Sequence, residues 1–451
     1  IAVDDLNDWL GVLKGHPQAR TPNFDRLAER GMLFTRAYCT APACNPSRKS
    51  VLTGMRPSTS GLYYSGKRIR DVLPDVVTLP EHFKKNGYRV EGGGKVFHTG
   101  MNDPQSWHAY FKQPKDPEPR QRPHIGLGLH QFWRWQPLEH YDDRDMADGK
   151  LVAWARAFLQ RKYSQPFFLG VGFYRPHMPW HVPKKYFDLF PLDSIELPAT
   201  KPGDVNDLPG YGLWLARERT GFHDAAVKQR QWKLAVQAYL ACIAFADAQL
   251  AKLIDALDAS PHAENTIIVL WSDNGMHLGE KEHWTKWGLW EQATRVPLIV
   301  VAPGVTKPNS RCETPVSLLD LYPTLVDLCD LPHVERLEGE SLQPLLQDPH
   351  ARRVTPAITT HGHMNHAVRT ARWRYIRYRD GSEELYDHKK DPREWYNLAG
   401  NVEYAESIRD LRRFLPAVNI PDPPYRDRKQ YWPVDPSPDD VSDYPAIKNN
   451  K

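Results

Sequence analysis

Strand and helix patterns alternate along the 451 residues, which predicts an α/β protein built on a large, mostly parallel sheet between helices. Two observations carry that expectation. Strand-length apolar runs at Tyr88–Val90, Phe167–Phe173, Thr266–Trp271 and Leu298–Ala302 are continuous rather than alternating, as strands covered on both faces are. From Trp232 to Leu257, the residues Val236, Leu240, Ile243, Leu250, Ile254 and Leu257 recur at helical intervals and mark one buried face. The length exceeds what one small core needs, so an appended subdomain is expected as well.

In chain order, Ile1-Ala2-Val3 reads as the end of a strand already in progress, so a true start, with or without a signal peptide, is expected upstream. Pro46 suits a first helical turn and Gly54 its end. Asp247 falls on the apolar face of the long helix and is read as a hydrogen-bonded structural carboxylate. Beyond residue 350 the pattern changes. Arg369–Tyr378, Gly381 and Glu384–Tyr386 read as short antiparallel strands with a turn. The expected division is a large α/β domain over 1–350 and a small α+β subdomain over 351–451. The tail past Pro416, rich in Pro, Asp and Tyr, wraps the surface.

Composition excludes more than it selects. A net charge of +4 gives no case for a nucleic-acid partner. No apolar run is read as long enough to span a bilayer. The 40 prolines imply many fixed loops, and most of the 15 tryptophans belong in a core this size. Five cysteines, Cys39, Cys44, Cys242, Cys312 and Cys329, are no disulfide framework. A Cys312–Cys329 pair stays open as an alternative, and Cys242 is expected to be a buried thiol. The Asn-x-Ser triplet Asn45-Pro46-Ser47 is blocked by its proline, which leans towards a bacterial source.

The chemically suggestive residues follow strands, where ligands bind in such sheets. Asp4 and Asp5 follow Val3; Asp273 and Asn274 follow Trp271. Three carboxylates and an amide are hard oxygen ligands that suit Ca²⁺ or Mg²⁺ and not zinc. Either pair alone is more commonly a turn or cap. Cys44 stands at the start of a helix, where an anion is favoured, with Arg48 one turn on along the same face. A cysteine nucleophile would need a paired histidine, whereas these surroundings are those of a metal.

CNPSRKSVLTG at Cys44–Gly54 resembles the signature of the formylglycine-dependent (type I) sulfatases. VDD at Val3–Asp5, TPNFDRLAERGMLFTRAY at Thr21–Tyr38, GKVFH at Gly94–His98, FYRPHMPWHVP at Phe173–Pro183 and SDNGMHLGEKEHWTK at Ser272–Lys286 match further elements of that family in order. GKVFH, the PHMP loop and EHW-x-K look most like the iduronate-2-sulfatase branch, which includes bacterial polysaccharide sulfatases. The likeness runs to about residue 400. It implies an alkaline-phosphatase-like fold and conversion of Cys44 to an aldehyde, formylglycine, by a formylglycine-generating enzyme. It also implies a Ca²⁺ ion held by Asp4, Asp5, Asp273 and Asn274 next to residue 44. The hydrated aldehyde would attack sulfur through one hydroxyl, fixed by Arg48, and expel sulfate through the other. Lys95 and Lys286 would clamp the sulfate, His98 would be the base of the elimination, and His177 the acid for the leaving sugar oxygen. Asn274 stands where some relatives carry histidine, and it remains a good calcium ligand.

Arg175, Trp180, Trp284 and His363 are expected to join Lys95, His177 and Lys286 in touching substrate, because they flank the matched loops or lie in the stretch HGHMNH. His16, His124 and His130 are further candidates for a sugar pocket. The unmatched segment from Trp107 to His140 is where substrate choice is expected to reside. The implied function is hydrolysis of a sulfate ester on a carbohydrate, with uronic-acid-containing and algal glycans as the candidates, by a periplasmic or secreted bacterial enzyme. A phosphonate or phosphodiester hydrolase of the same superfamily and a non-catalytic sulfated-glycan-binding protein are the alternatives.

Overall fold

The computed structural model describes residues 1–64, 66–120, 126–127, 133–217 and 222–421. His124 and His130 therefore lie outside the described residues, as does the tail beyond 421. The main sheet holds β1 (Ala2–Val3), β2 (Met32–Tyr38), β3 (Arg89–Gly94), β4 (Ala109–Phe111), β5 (Phe167–Phe173), β6 (Ile268–Ser272), β9 (Arg295–Val301), β10 (Ser310–Cys312) and β11 (Val316–Ser317). Their order is β10-β2-β9-β6-β1-β5-β3-β4, with β11 also on β2. All pairings are parallel except those of β9 with β2 and β6. The expectation of a mostly parallel sheet holds. The run at Leu298–Ala302 gave no direction, because an apolar strand buried on both faces reads the same either way.

Neighbouring residues serve opposite faces. Ile299 and Val301 join one core with the helices Pro22–Glu29, Ala147–Leu159 and Trp232–Asp258, while Leu298 and Val300 join another. The helix Cys44–Thr53 packs on this second side through Val51 and Leu52. The expectation that no run is long enough for a membrane is corrected. By length and composition Trp232–Asp258 qualifies, but 78% of its apolar window is buried inside the protein. It is a core helix, and Asp247 on it has the expected structural job. One oxygen accepts the amides of Asn23 and Phe24 at 2.9 Å each, capping the helix Pro22–Glu29 from outside.

A hairpin of β7 (His277–Leu278) and β8 (Trp284–Thr285) follows β6. A second, antiparallel sheet is formed by β12 (Ala357–Thr360), β13 (His366–Arg369), β14 (Trp373–Arg377) and β15 (Glu383–Asp387) in that order. The Cys312–Cys329 pair does not form. Both thiols are free, Cys312 in the core around β9 and Cys329 against the core of Phe83 and Tyr322.

Candidate active site

The carboxyl ends of the central parallel strands deliver the acids. β1 lies between β5 and β6, so Asp4 and Asp5 emerge beside Asp273 and Asn274. All four are fully buried. Asp5 takes a left-handed backbone (φ 58°), an uncommon conformation that the surroundings must enforce. Its amide donates to Asp273 Oδ1 at 3.0 Å, and Asn274 Nδ2 donates to Asp5 Oδ1 at 2.9 Å. Oxygens of Asp4, Asp5 and Asp273 lie within 4.8 Å of one another. Asn274 Oδ1 is buried without a partner among the described residues. A buried amide oxygen left without a donor is costly, and a cation among the three carboxylates would satisfy it. The donor set is all oxygen and fits Ca²⁺.

The helix Cys44–Thr53 brings the second layer. It begins at Cys44 and ends at Gly54, whose φ of 71° and amide bond to Ser50 at 2.8 Å close it as expected. All its residues are buried, polar ones included. Arg48 Nε donates to Asp273 at 2.6 Å and Nη2 to Asp4 at 3.3 Å; Nη1 reaches the carbonyls of Lys95 and Val96. Lys95, just past β3, pairs with Asp4. Lys286, just past β8, donates to Asp5 at 2.7 Å and to Cys44 Sγ at 2.6 Å. The residues on either side of Lys286, Thr285 and Trp287, have φ of 70° and 86°, so this lysine sits on a strained turn. Three carboxylates thus face three fixed cations, and a divalent ion would leave the site positive, ready for an anionic ester.

Electrostatics follow from burial and this pairing. Burial pushes Asp4 and Asp5 up, but the lysines, His177 and, for Asp4, Arg48 outweigh it and hold both down. Asp273 is raised to about 7 by burial, against Arg48 and with the neighbouring acids. Burial raises Cys44 to about 12 despite Lys286 and Lys95. An unmodified Cys44 is therefore a neutral thiol and a poor nucleophile. His177 Nε2 is 3.7 Å from Asp5, and its ring falls within 4.8 Å of ligand atoms of Cys44 and Asp4. Burial and Lys95 lower it to about 4. His98, lowered by burial and then by Lys95, has a buried Nδ1 with no partner among the described residues. Cys44, Arg48, Lys95, His98, His177, Lys286 and the four oxygen donors are thus one constellation.

The expected substrate contacts fare differently. Trp180 and Trp284 are fully buried and cannot face a sugar. Trp180 donates to the Pro176 carbonyl at 2.8 Å, and Trp284 bonds His223 at 3.2 Å. Arg175 is buried and spends its guanidinium on protein groups. His363 bonds the Asn419 carbonyl at 3.3 Å, with its ring 6.0 Å from Tyr63, and both contacts are with residues outside the acid cluster. The His16 ring packs at a tilt against Trp9, centroids 4.3 Å apart, and bonds the Glu196 carbonyl, so it is structural and lines no sugar pocket. Asp116, which accepts from the Arg175 guanidinium, and Asp148, which accepts the amides of Tyr174 and Arg175, were not singled out by sequence, since nothing local marks an acid 59 residues from its arginine. An apolar cavity of about 380 Å³ lies elsewhere, by the amino ends of β5 and β6, and has no catalytic group in its lining.

Comparison with known proteins bears on this constellation. Residues 1–331 match the family described as Sulfatase, and residues 279–420 match the family described as N-sulphoglucosamine sulphohydrolase, C-terminal. A sulfatase of Formosa agariphila is 42% identical over 440 residues, covering 93% of this chain and 86% of that protein. The iduronate 2-sulfatase of Mus musculus is 33% identical over 408 residues, covering 77% and 73%. Among solved structures, the phosphonate monoester hydrolase of Agrobacterium radiobacter superposes with a TM-score of 0.75 at 21% identity, covering 91% of this chain and 93% of that one. At that identity the last likeness speaks for the fold alone.

Proposed function

The chain belongs to the sulfatase family and is a sulfuric ester hydrolase, and from that premise we propose that it removes sulfate from a sulfated carbohydrate with a formylglycine made from Cys44 and a Ca²⁺ ion. One observation carries the reading. Cys44 Sγ, at the head of a buried helix, lies 2.6 Å from Lys286 Nζ and within 4.8 Å of groups on Asp4 and His177. Sγ marks where the hydroxyls of the converted residue would stand. The iduronate 2-sulfatase likeness supports a sulfated, uronic-acid-containing glycan. A polymeric substrate of that kind would place the enzyme in the periplasm or outside a bacterial cell.

Ca²⁺ held by Asp4, Asp5, Asp273 and Asn274 would supply Lewis acidity to the oxygen nucleophile at residue 44. Formylglycine would supply, on hydration, two hydroxyls on one carbon. The protein's side chains do the rest. Arg48 bonds Asp4, Asp273 and two carbonyls, so it fixes the acids against the helix that carries residue 44. Lys95 and Lys286 receive the sulfate oxygens as point charges. Burial and then Lys95 hold His177 down; an anionic ester between the lysines offsets the Lys95 part, and so helps His177 give a proton to the leaving alcohol. His98, whose buried Nδ1 has no partner among the described residues, takes a proton from the second hydroxyl.

The test is sulfate release by protein produced with a formylglycine-generating enzyme, over glycosaminoglycan, ulvan and carrageenan oligosaccharides. A phosphonate monoester and Cys44→Ala serve as controls. We expect release from one glycan and a loss of at least about 10⁴-fold in Cys44→Ala, the scale seen when a nucleophile is removed. Turnover of the phosphonate alone would favour that activity instead. No turnover of any ester by verified aldehyde-bearing protein would favour a glycan-binding role.

A further inference from the structure

The turn that carries His177 is held from behind by side chains that touch no reacting atom. Arg175, 1% exposed, donates through Nη1 to the His177 carbonyl at 2.7 Å and through Nε to the His181 carbonyl at 3.2 Å. Its Nη2 donates to Asp116 Oδ2 at 2.5 Å. Asp116 Oδ1 in turn accepts the amide of Ala147 at 2.7 Å, which ties it to the first turn of the helix Ala147–Leu159. Asp148, buried on that helix, accepts the amides of Tyr174 and Arg175 at 2.8 and 2.9 Å. One guanidinium therefore grips the turn at His177 itself and again four residues on, at His181, and anchors it to a core helix. A planar fork of five donors suits two carbonyls and a carboxylate held at once in fixed directions.

We propose that Arg175, anchored by Asp116, is a positioning residue that sets the His177 imidazole against Asp5 and the substrate site. This rests on the reading above only for the role of His177. Displacement of a reacting group by about 1 Å costs about 100-fold in rate. Arg175→Gln should therefore lower kcat by about 100-fold with KM little changed, and Arg175→Lys should restore part of it. A buried arginine can also matter for folding alone, and a double-variant cycle separates the two roles. If Arg175 acts through His177, Arg175→Gln adds nothing in a His177→Ala background. If the double variant falls by the product of the single effects, the proposal is overturned. Should Arg175→Gln not fold, Asp116→Asn replaces it in the same cycle, since it loosens the anchor and keeps the fork. The cycle is read on whichever ester the unmutated enzyme hydrolyses, so absent sulfate release counts against the sulfatase reading and additivity counts against this one. A crystal structure of Arg175→Gln, or of Asp116→Asn in its place, gives a reading that needs no turnover. We expect the His177 ring to be displaced from Asp5, and an unmoved ring overturns the proposal.

Discussion

Two buried clusters of acids and bases in this molecule look alike and behave differently. One is Asp4, Asp5 and Asp273 with Arg48, Lys95 and Lys286. The other joins the second sheet to the segment before β9: Glu291 and Glu394 with Arg374, Arg369 and His388. Each brings acid or histidine atoms within 4.8 Å, the geometry a metal needs. In the second cluster Arg374 bridges both glutamates and bonds the Leu289 carbonyl at 2.9 Å, while Glu394 also accepts the Glu291 amide at 2.9 Å. There burial pushes both acids up, and the arginines, with His388, outweigh it. In the first cluster Asp273 stays raised to about 7 and Asn274 Oδ1 lacks a donor. Converging carboxylates do not by themselves make a cation site; acceptors left unsatisfied do.

The comparison is sharpened most by metal removal. Chelation should abolish ester hydrolysis, with Ca²⁺ restoring more activity than Mg²⁺. Calorimetric titration of the stripped protein should find one tight site, lost in Asp273→Ala and kept in Glu394→Gln. Loss of that site in Glu394→Gln would reverse the assignment.

A smaller effect separates the clusters by stability. Arg374→Met leaves two buried glutamates without their bridge and should cost about 3–5 kcal/mol, read from denaturant midpoints. The acid limb should change with it. Glu291 and Glu394 are depressed in the fold, so their contribution is present above the unfolded value of 4.5 and is lost as pH falls through their lower folded values. The unmutated protein should therefore lose stability below pH 4.5 more steeply than Arg374→Met does. Equal slopes would remove these glutamates from the account.

Asp247 gives the smallest effect and the opposite sign. Burial raises it to about 6, although it accepts hydrogen bonds from Asn23 and Phe24. An acid with a raised folded value favours the fold when protonated, so this group's contribution is lost as pH rises from 3.8 through about 6. Asp247→Asn should lose one bond to Asn23 yet gain on the unmutated protein, by about 2 kcal/mol, as pH passes from 4 to 7. A difference that does not vary with pH would show that Asp247 does not titrate in that window.

These contrasts also mark what the residues disclosed. Asp4, Asp5, Asp273 and Asn274 were legible because each follows an apolar run, and strand ends of a parallel sheet meet on one edge. Cys44 and Arg48 were legible because a proline and a glycine bracket their helix. Trp180 and Trp284 misled because an indole beside a functional loop can face inward or outward, and spacing in a loop carries no period. Strand β12 was missed because four residues, Ala357–Thr360, show no decisive pattern. The second ionic cluster was invisible, since Glu291 and Arg374 are 83 residues apart and each alone reads as a surface charge.

The depth of Cys44 has a consequence for timing. At 4% exposure, as the first residue of a helix that is buried along its whole length, residue 44 is closed to any second enzyme once the chain has folded. Under the proposed formylglycine mechanism, oxidation of residue 44 would have to win a race against folding, on the nascent or still extended polypeptide. Molecules that folded first would be kinetic dead ends, correctly shaped and inert. Specific activity in any preparation would thus record how two rates competed during synthesis.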